Sequence, residues 1–518
     1  MRLKALTLPE YKNLKDFKVN FSDESFFSVL IGNNGTGKSN LIEALVVIFR
    51  DLDQGAPASF AYEIAYSLDA ASQAVDVRIS AKAGRPQRIG TGSNALSPYK
   101  LENHQDLLPH FVFAYYSGSS NRLDQHFARA RLRFYEKLIS PKAASNELPP
   151  RRLFLAQQLH SQFVLLAFFV DPDKKARLFL RDQLRIAGIR DVQIVVKRPE
   201  WSKDRGDRFW GASGAPRRTL EMLEHHSISV IDETRTIDTS FRRRTRLACR
   251  VFALDEAGLQ SMYVEFGEPH KFFAAIESLH ISDLLLEIVA RVKLVDGTSI
   301  TFRELSEGEQ QLLLVLGLLR FTRQKDSLFL LDEPDTHLNP NWAIQYRSFI
   351  RDVIESEYKS HVLCATHDPL TFCGSLRSDV RVLSFGPDGR IAAAPAENDP
   401  RGLGIGGILT SEMFGLHAAL DIETQRRIER LRYLEARNDL SPEEASELRT
   451  LSGELSRLGF MTRSDDPTFG RYLSAYRVLF GSDEEQEPLS DDVLQTRAEA
   501  ALGRALGFTA DAVEDAID

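Results

Sequence analysis

Phe26-Phe27-Ser28-Val29-Leu30-Ile31-Gly32-Asn33-Asn34-Gly35-Thr36-Gly37-Lys38-Ser39 is an apolar run of strand length that flows directly into a glycine-rich loop. Beyond Ser39 the pattern changes period: Leu41, Ala44, Leu45 and Ile48 recur at helical spacing, so a helix opens where the loop ends. Strand, glycine loop and helix in that order are the context a phosphate-binding loop requires. Its glycines let backbone N–H groups turn inward, and the helix N-terminus favours the negative charge they surround. The expected ligand is ATP with Mg²⁺. Lys38 is placed to reach the β/γ-phosphates and Ser39 to hold the metal, with Gly32, Asn33, Asn34, Gly35, Thr36, Gly37 and Asn40 completing the cradle.

A second apolar strand, Leu328-Phe329-Leu330-Leu331, ends in Asp332-Glu333-Pro334. Adjacent carboxylates repel one another and cost stability unless a cation compensates them. Hydrated Mg²⁺ would do so, with Asp332 as metal residue and Glu333 orienting and polarising the attacking water.

Upstream of the acid strand stands Leu305-Ser306-Glu307-Gly308-Glu309-Gln310, followed by the apolar run Gln311 to Leu319. Here the chain resembles the ABC-type ATPases, in particular their SMC, RecF and OLD-like branch, whose signature segment reads LSxGE. The resemblance implies that Ser306 and Gly308, with Glu309 beside them, contact the γ-phosphate of a nucleotide held by the opposite protomer. The family's loop after the acid pair corresponds to Asp335-Thr336-His337-Leu338-Asn339-Pro340, which makes Asp335 a further nucleotide contact. Its switch histidine corresponds to His367 in Thr366-His367-Asp368, after the strand Val362 to Ala365. A homodimer closed around ATP follows, because one chain supplies only half of each site. The family's glutamine loop has no clear counterpart: Tyr116-Ser117-Gly118-Ser119-Ser120 follows the strand Phe111 to Tyr115, while Gln105 precedes it and Gln125 comes late. Either Tyr11 or Lys12 could contact adenine.

The expected fold is α/β, an ABC-type phosphate-loop ATPase core with an antiparallel β lobe, a mixed α/β or helical insertion and a helical C-terminal appendage. Residues 1–135 carry the first half of the core and 299–400 the second. Residues 136–298 form the insertion, with helical segments around Arg151 to Phe169 and a strand at Val192 to Val196. Residues 401–518 form the appendage, where Ile422, Ile428 and Leu431 mark one amphipathic helix and Ala445, Leu448, Leu451, Leu455 and Leu458 the next. Ser441-Pro442-Glu443-Glu444 supplies an N-cap, a first-turn proline and a capping-box glutamate for the second.

With 518 residues, 43% of them hydrophobic, the chain can bury a large core. Apolar runs such as Phe163 to Val170 are too short to cross a bilayer, and no signal-like stretch follows Met1-Arg2-Leu3-Lys4, which places the protein in the cytoplasm and off the membrane. Cys249, Cys364 and Cys373 lack metal-ligand spacing and read as reduced buried thiols. A net charge of -8 offers nucleic acid no general attraction, so DNA or RNA contact would need a local patch. Two basic stretches qualify. One is the loop containing Lys197, Arg198, Lys203, Arg205, Arg208, Arg217 and Arg218, with Trp201 and Trp210 available to stack on bases; a solvated loop is the simpler reading of it. The other is Arg242-Arg243-Arg244 with Arg246 and Arg250. The acidic run Asp483 to Asp492 reads as a solvated loop.

The compact, non-coiled-coil layout and the Asp332 to Pro340 run resemble stand-alone bacterial anti-phage ATPases, including restriction-system-associated and Septu-type ATPases. Ile408 to Leu416 adds a looser likeness. That resemblance implies control of a separate effector such as an HNH nuclease, since the helical tail lacks the acid set of a TOPRIM nuclease and no zinc-nuclease cluster is present. A RecF-like or SMC-like DNA-binding ATPase of recombination or repair is the alternative, and a scaffold with slow hydrolysis a third.

Overall fold

In the computed structural model, the structure describes residues 1–458 apart from 24, 71–72, 119, 141–150, 203–205, 241–242, 323–325, 355–359, 417, 436 and 438. The chain divides into two units, Met1–Leu416 and His417–Asp518. The first is built on a seven-stranded sheet in the order Ile391–Pro395, Val380–Phe385, Phe27–Gly32, His361–Ala365, Ser327–Asp332, Phe111–Tyr116, Leu153–Leu155. All neighbours are parallel except the pair formed by Ile391–Pro395. The phosphate-loop strand and the acid strand thus flank His361–Ala365, which brings Gly32, Asp332 and the segment after Ala365 to one sheet edge. Ligand sites of open α/β sheets lie at this carboxyl edge.

Side-chain alternation divides the two faces of this sheet between two cores. Leu30, Val112, Leu328, Leu330 and Leu363 meet the helix Lys38–Gln54 and the antiparallel lobe. Val29, Ile31, Phe113, Phe329 and Leu331 meet the helices His160–Val170 and Glu307–Thr322. The lobe is a six-stranded sheet, Leu14–Asn20, Arg2–Tyr11, Tyr62–Ala70, Gln73–Ala81, Arg88–Thr91, Ser97–Pro98, paired antiparallel throughout.

Between Phe111–Tyr116 and the signature segment the chain is mixed α/β. Its five-stranded antiparallel sheet runs Ser229–Ser240, Arg243–Leu254, Ile186–Lys197, Leu285–Leu294, Ser299–Thr301. The expected helical segment from Arg151 divides: Leu153–Leu155 joins Phe111–Tyr116 as the edge of the central sheet, and the helix starts only at His160. The open edge of Phe111–Tyr116 supplies backbone partners that outweigh local helical preference. His160–Val170 is apolar all round and buried on every side, as a helix inside a core must be. It reaches the signature helix at Gly317, where an added Cβ would lie 2.0 Å from Val164 Cγ1. Among the described residues no helix is long and apolar enough to cross a membrane. Cys249 and Cys364 are buried and Cys373 is half-buried.

In the second unit, Ile422–Glu435 and Pro442–Arg457 pair as helices, and the Ser441/Glu444 capping box forms. Arg430 bonds Glu447 at 2.7 Å across the pair. Leu431, Leu434 and Leu455 are buried, whereas Ile422 and Leu458 at the helix ends are exposed. The acidic run at 483–492 lies outside the described residues.

Candidate functional site

Gly32, Gly35 and Gly37 have φ of 147°, 85° and 86°, in the half of backbone space that side chains disfavour. At Gly32 space is also closed, because a Cβ would meet the Leu383 carbonyl oxygen at 2.3 Å. Thr36 Oγ1 donates to the Asn33 carbonyl at 2.7 Å, and Lys38 Nζ donates to the Gly32 carbonyl at 2.7 Å, so the loop curls over its own lysine. Burial lowers the Lys38 pKa, while Glu333 and Asp332 act in the opposite direction. That arrangement places the cation beside the carboxylate pair.

Asp332 is 1% exposed and its Oδ1 has no hydrogen-bond partner. Burial pushes its carboxyl up to about 6, opposed by a hydrogen bond from Ser39, and Glu333 raises it further. An orphaned carboxylate oxygen beside a serine hydroxyl suits a hydrated divalent cation. Glu333 sits in the left-handed region at φ 51°, held there by its N–H bond to the Ala365 carbonyl at 2.8 Å. Such strain persists only where the surroundings enforce it. The result aims Glu333 toward His367, whose Nδ1 lies 3.3 Å from Glu333 Oε1. Lys38, Ser39, Asp332, Glu333 and His367 therefore converge.

The folded Asp332 ionises near pH 6 and an unfolded aspartate near pH 4, so between those values the unfolded state releases its proton first and stability falls as pH rises. Above pH 6 the full cost, roughly 3 kcal/mol, stays in place. Asp332→Asn should therefore raise the Tm of metal-free protein by a few degrees at pH 7.5, and Mg²⁺ should stabilise the wild type alone. Melting curves with and without Mg²⁺ test this; a lower Tm in the variant at pH 7.5 would refute it.

Other expected contacts are placed differently. Asp335 is buried, its Oδ2 accepting from the Thr366 and Thr371 hydroxyls; burial raises its pKa and those hydrogen bonds oppose the rise. Its side chain ties the acid-pair loop to the segment after Ala365. Asn40 bonds Asn13 at 2.6 Å and accepts from Arg122, beside the cradle. Lys12 is occupied by Glu43, at 2.6 Å to both oxygens, and Tyr11 packs on Phe60 with ring centroids 4.5 Å apart.

The signature segment forms its own capping box: Ser306 N–H and Oγ both donate to Glu309 Oε2, at 2.7 and 2.8 Å. Gly308 has a packing role too, since a Cβ there would meet the His337 carbonyl oxygen at 2.3 Å. Ser306, Gly308 and Glu309 line a cleft with Gln183, Arg185, His337, Asn339 and Trp342, and that lining includes no residue of Gly32–Ser39, nor Asp332, Glu333 or His367.

Sequence reading missed three connectors. Gln311 donates to the Pro334 carbonyl at 2.6 Å and accepts from His337 N–H at 3.2 Å, joining the signature helix to the acid-pair loop. Ser117 N–H donates to the Asp332 carbonyl at 3.2 Å, where a glutamine was sought. Burial would raise the Glu43 pKa, but hydrogen bonds from His126, Lys12 and Arg122 hold that carboxylate well below the usual range. A glutamate inside Leu41-Ile42-Glu43-Ala44-Leu45 was the available signal, because a buried acid needs partners.

A family model described as "AAA domain, putative AbiEii toxin, Type IV TA system" matches residues 27–372, well over half of the chain. The chain belongs to this AAA family. With its signature segment and acid pair, it is an ABC-type ATPase. It is similar to the Septu protein PtuA of Bacillus mycoides, 24% identical over 239 residues, covering 43% of this chain and 33% of that protein. It is also similar to the DNA replication and repair protein RecF of Macrococcus caseolyticus, 49% identical over 45 residues, 9% of this chain and 12% of that one. The chain thus spans a third or less of the length of these curated relatives. The SMC head domain from Thermotoga maritima superposes with a TM-score of 0.33 at 14% identity, covering 77% of this chain and 100% of that domain, too loosely to carry an argument.

Proposed function

We propose that this AAA-family chain binds ATP with Mg²⁺, closes into a homodimer around it, and hydrolyses it to control a separate effector. Lys38 and the loop glycines bind the phosphates, Ser39 and Asp332 hold the metal, Glu333 takes up a proton from water, and His367 positions Glu333. Mg²⁺, when bound, neutralises charge on the β/γ-phosphates. The observation that supports the reading is that the cleft lined by Ser306, Gly308 and Glu309 holds none of the converged residues, as a site shared between two copies would require. The effector reading, a nuclease acting in anti-phage defence, is supported by the likeness to Septu PtuA. Its test is phage challenge of cells carrying the native operon, with co-purification of neighbouring gene products. Protection indifferent to Glu333→Gln, with no effector retained, would sink it. The RecF likeness favours a second reading, DNA repair. Sensitivity of a deletion strain to DNA damage, without any change in phage plating, would select it.

Nucleic acid contact, if the effector pathway uses it, is placed by this reading at Arg244 and Arg246 of the hairpin Ser229–Ser240/Arg243–Leu254, whose Arg250 pairs with Asp232 at 2.7 Å. In the other basic stretch, Lys197 pairs with Asp283 at 2.6 Å, Arg208 with Glu224 at 2.7 Å and Arg217 with Glu221 at 3.1 Å, and Trp201 donates to the Ser282 carbonyl at 2.9 Å. Lys203 and Arg205 lie outside the described residues. Arg244 and Arg246 are exposed two residues apart on one strand, hence on one face. Arg244→Glu/Arg246→Glu should weaken binding of a labelled oligonucleotide by about tenfold or more and flatten its salt dependence. Anisotropy titrations between low and physiological salt measure this, and unchanged curves would count against the hairpin.

A further inference from the structure

A cavity of about 360 Å³ opens between the helices Asp124–Leu138 and Pro269–Ile281 and the start of His160–Val170. Two nearly buried side chains present unused donors to it. Arg151, 8% exposed, is clamped between the rings of Phe134 and Phe154, with its guanidinium carbon 5.3 and 4.7 Å from their centroids. Its Nε donates to the Leu153 carbonyl at 3.0 Å and one terminal nitrogen to Glu277, and among the described residues the other terminal nitrogen has no acceptor. His160, 3% exposed, accepts the Gln157 N–H on Nδ1 at 2.9 Å, so its proton resides on Nε2. That Nε2 lies 3.9 Å from Glu277 Oε1, beyond hydrogen-bond reach.

Around these donors stand Arg131, paired with Asp124 at 2.7 Å, and His280, with Glu277 the one carboxylate in the lining. Burial, reinforced by Arg151 and Arg131, keeps both imidazoles neutral. Arg151 and Arg131 are each fixed by a carboxylate, Glu277 and Asp124, before any ligand arrives, and donors held rigid in this way are the preorganisation an anion site needs. Leu132, 56% exposed, and Tyr135 give the lining an apolar flank. We propose that this cavity binds a phosphate monoester, with the phosphate on Arg151, His160 and Arg131 and the organic part against Leu132 and Tyr135. A free nucleoside monophosphate and the terminal phosphate of a nucleic acid strand share that chemistry. The lining of this cavity includes no residue of the phosphate loop or acid pair, and Gln157, whose N–H fixes the His160 tautomer, also lines a second cavity with Gln310 and Gln311 of the signature helix.

The test uses the full chain carrying Lys38→Ala, so that the phosphate loop does not take up the probe. Calorimetric titrations are run with inorganic phosphate, AMP, a 5′-phosphorylated oligothymidylate and its unphosphorylated counterpart. Saturable binding is expected for phosphorylated probes, weakened about tenfold by Arg131→Ala and by Arg151→Lys, which keeps a cation for Glu277 and removes the spare nitrogen. Melting curves establish that both variants are folded. AMP binding alone identifies a free nucleotide as the source, and preference for the phosphorylated strand identifies a strand end. No saturable binding by any phosphorylated probe, or binding unchanged in both folded variants, overturns the proposal.

Discussion

Glu333→Gln should lower ATP turnover by about two to three orders of magnitude while ATP binding persists. The substitution keeps side-chain length and leaves the N–H bond to the Ala365 carbonyl that fixes the φ of 51°. It removes only the capacity to accept a proton from the attacking water. Because Lys38, Ser39 and Asp332 are untouched, nucleotide affinity should stay within a few-fold of wild type, and the dimer closed on ATP should accumulate. Phosphate release at saturating ATP measures the first effect and light scattering with ATP and Mg²⁺ the second. Turnover within threefold of wild type would remove Glu333 from the role proposed for it.

Interpretation is sharpened by His367. Its Nδ1 lies 3.3 Å from Glu333 Oε1, and the side chain is more than half exposed, so it can reach outward as well as toward the acid. A merely structural cap would face inward. Replacement of His367 should therefore slow hydrolysis with little change in Tm, and the double variant with Glu333→Gln should be no slower than Glu333→Gln alone, since residues that act as a unit are not additive.

How far the sequence was legible depends on whether a residue's role is carried by its local pattern. The phosphate loop and the acid strand were readable because strand, turn and helix signals coincide with the chemistry in consecutive residues, and the structure brings Lys38, Ser39, Asp332 and Glu333 together across the sheet. The hydrogen bonds of Asp335 were not legible, because its partners, Thr366 and Thr371, arrive from another strand's exit. Gln311 was invisible for the same reason: its two bonds reach Pro334 and His337, on a different element. Leu153–Leu155 illustrates the limit for fold, since three apolar residues become a strand only because the edge of Phe111–Tyr116 is available to them. The basic loop shows the limit for charge. Reading its seven cations from sequence leaves out Asp283, Glu221 and Glu224, which pair with Lys197, Arg217 and Arg208.

Mixing Lys38→Ala protein with Ser306→Arg protein should restore hydrolysis that neither shows alone. In a mixed dimer one composite site combines both lesions, while the other joins an intact phosphate loop to an intact signature segment. Random pairing makes half of the dimers mixed, each with one of two sites intact, so about a quarter of wild-type turnover is expected at equal concentrations. Ser306→Arg also removes a capping hydroxyl, a loss of about 1 kcal/mol, which a core of this size tolerates. The arginine itself blocks close approach of a second copy at an exposed position on the cleft. Gly308→Arg would be the poorer choice, because the His337 carbonyl already stands where its Cβ must go and the variant would be disabled by misfolding of its own loop. Mixing is verified by exchange of differently tagged chains. If tagged chains exchange and turnover stays at the level of the single variants, then each chain completes its own site, and the separation of the Ser306 cleft from Lys38 must be closed within one protomer instead.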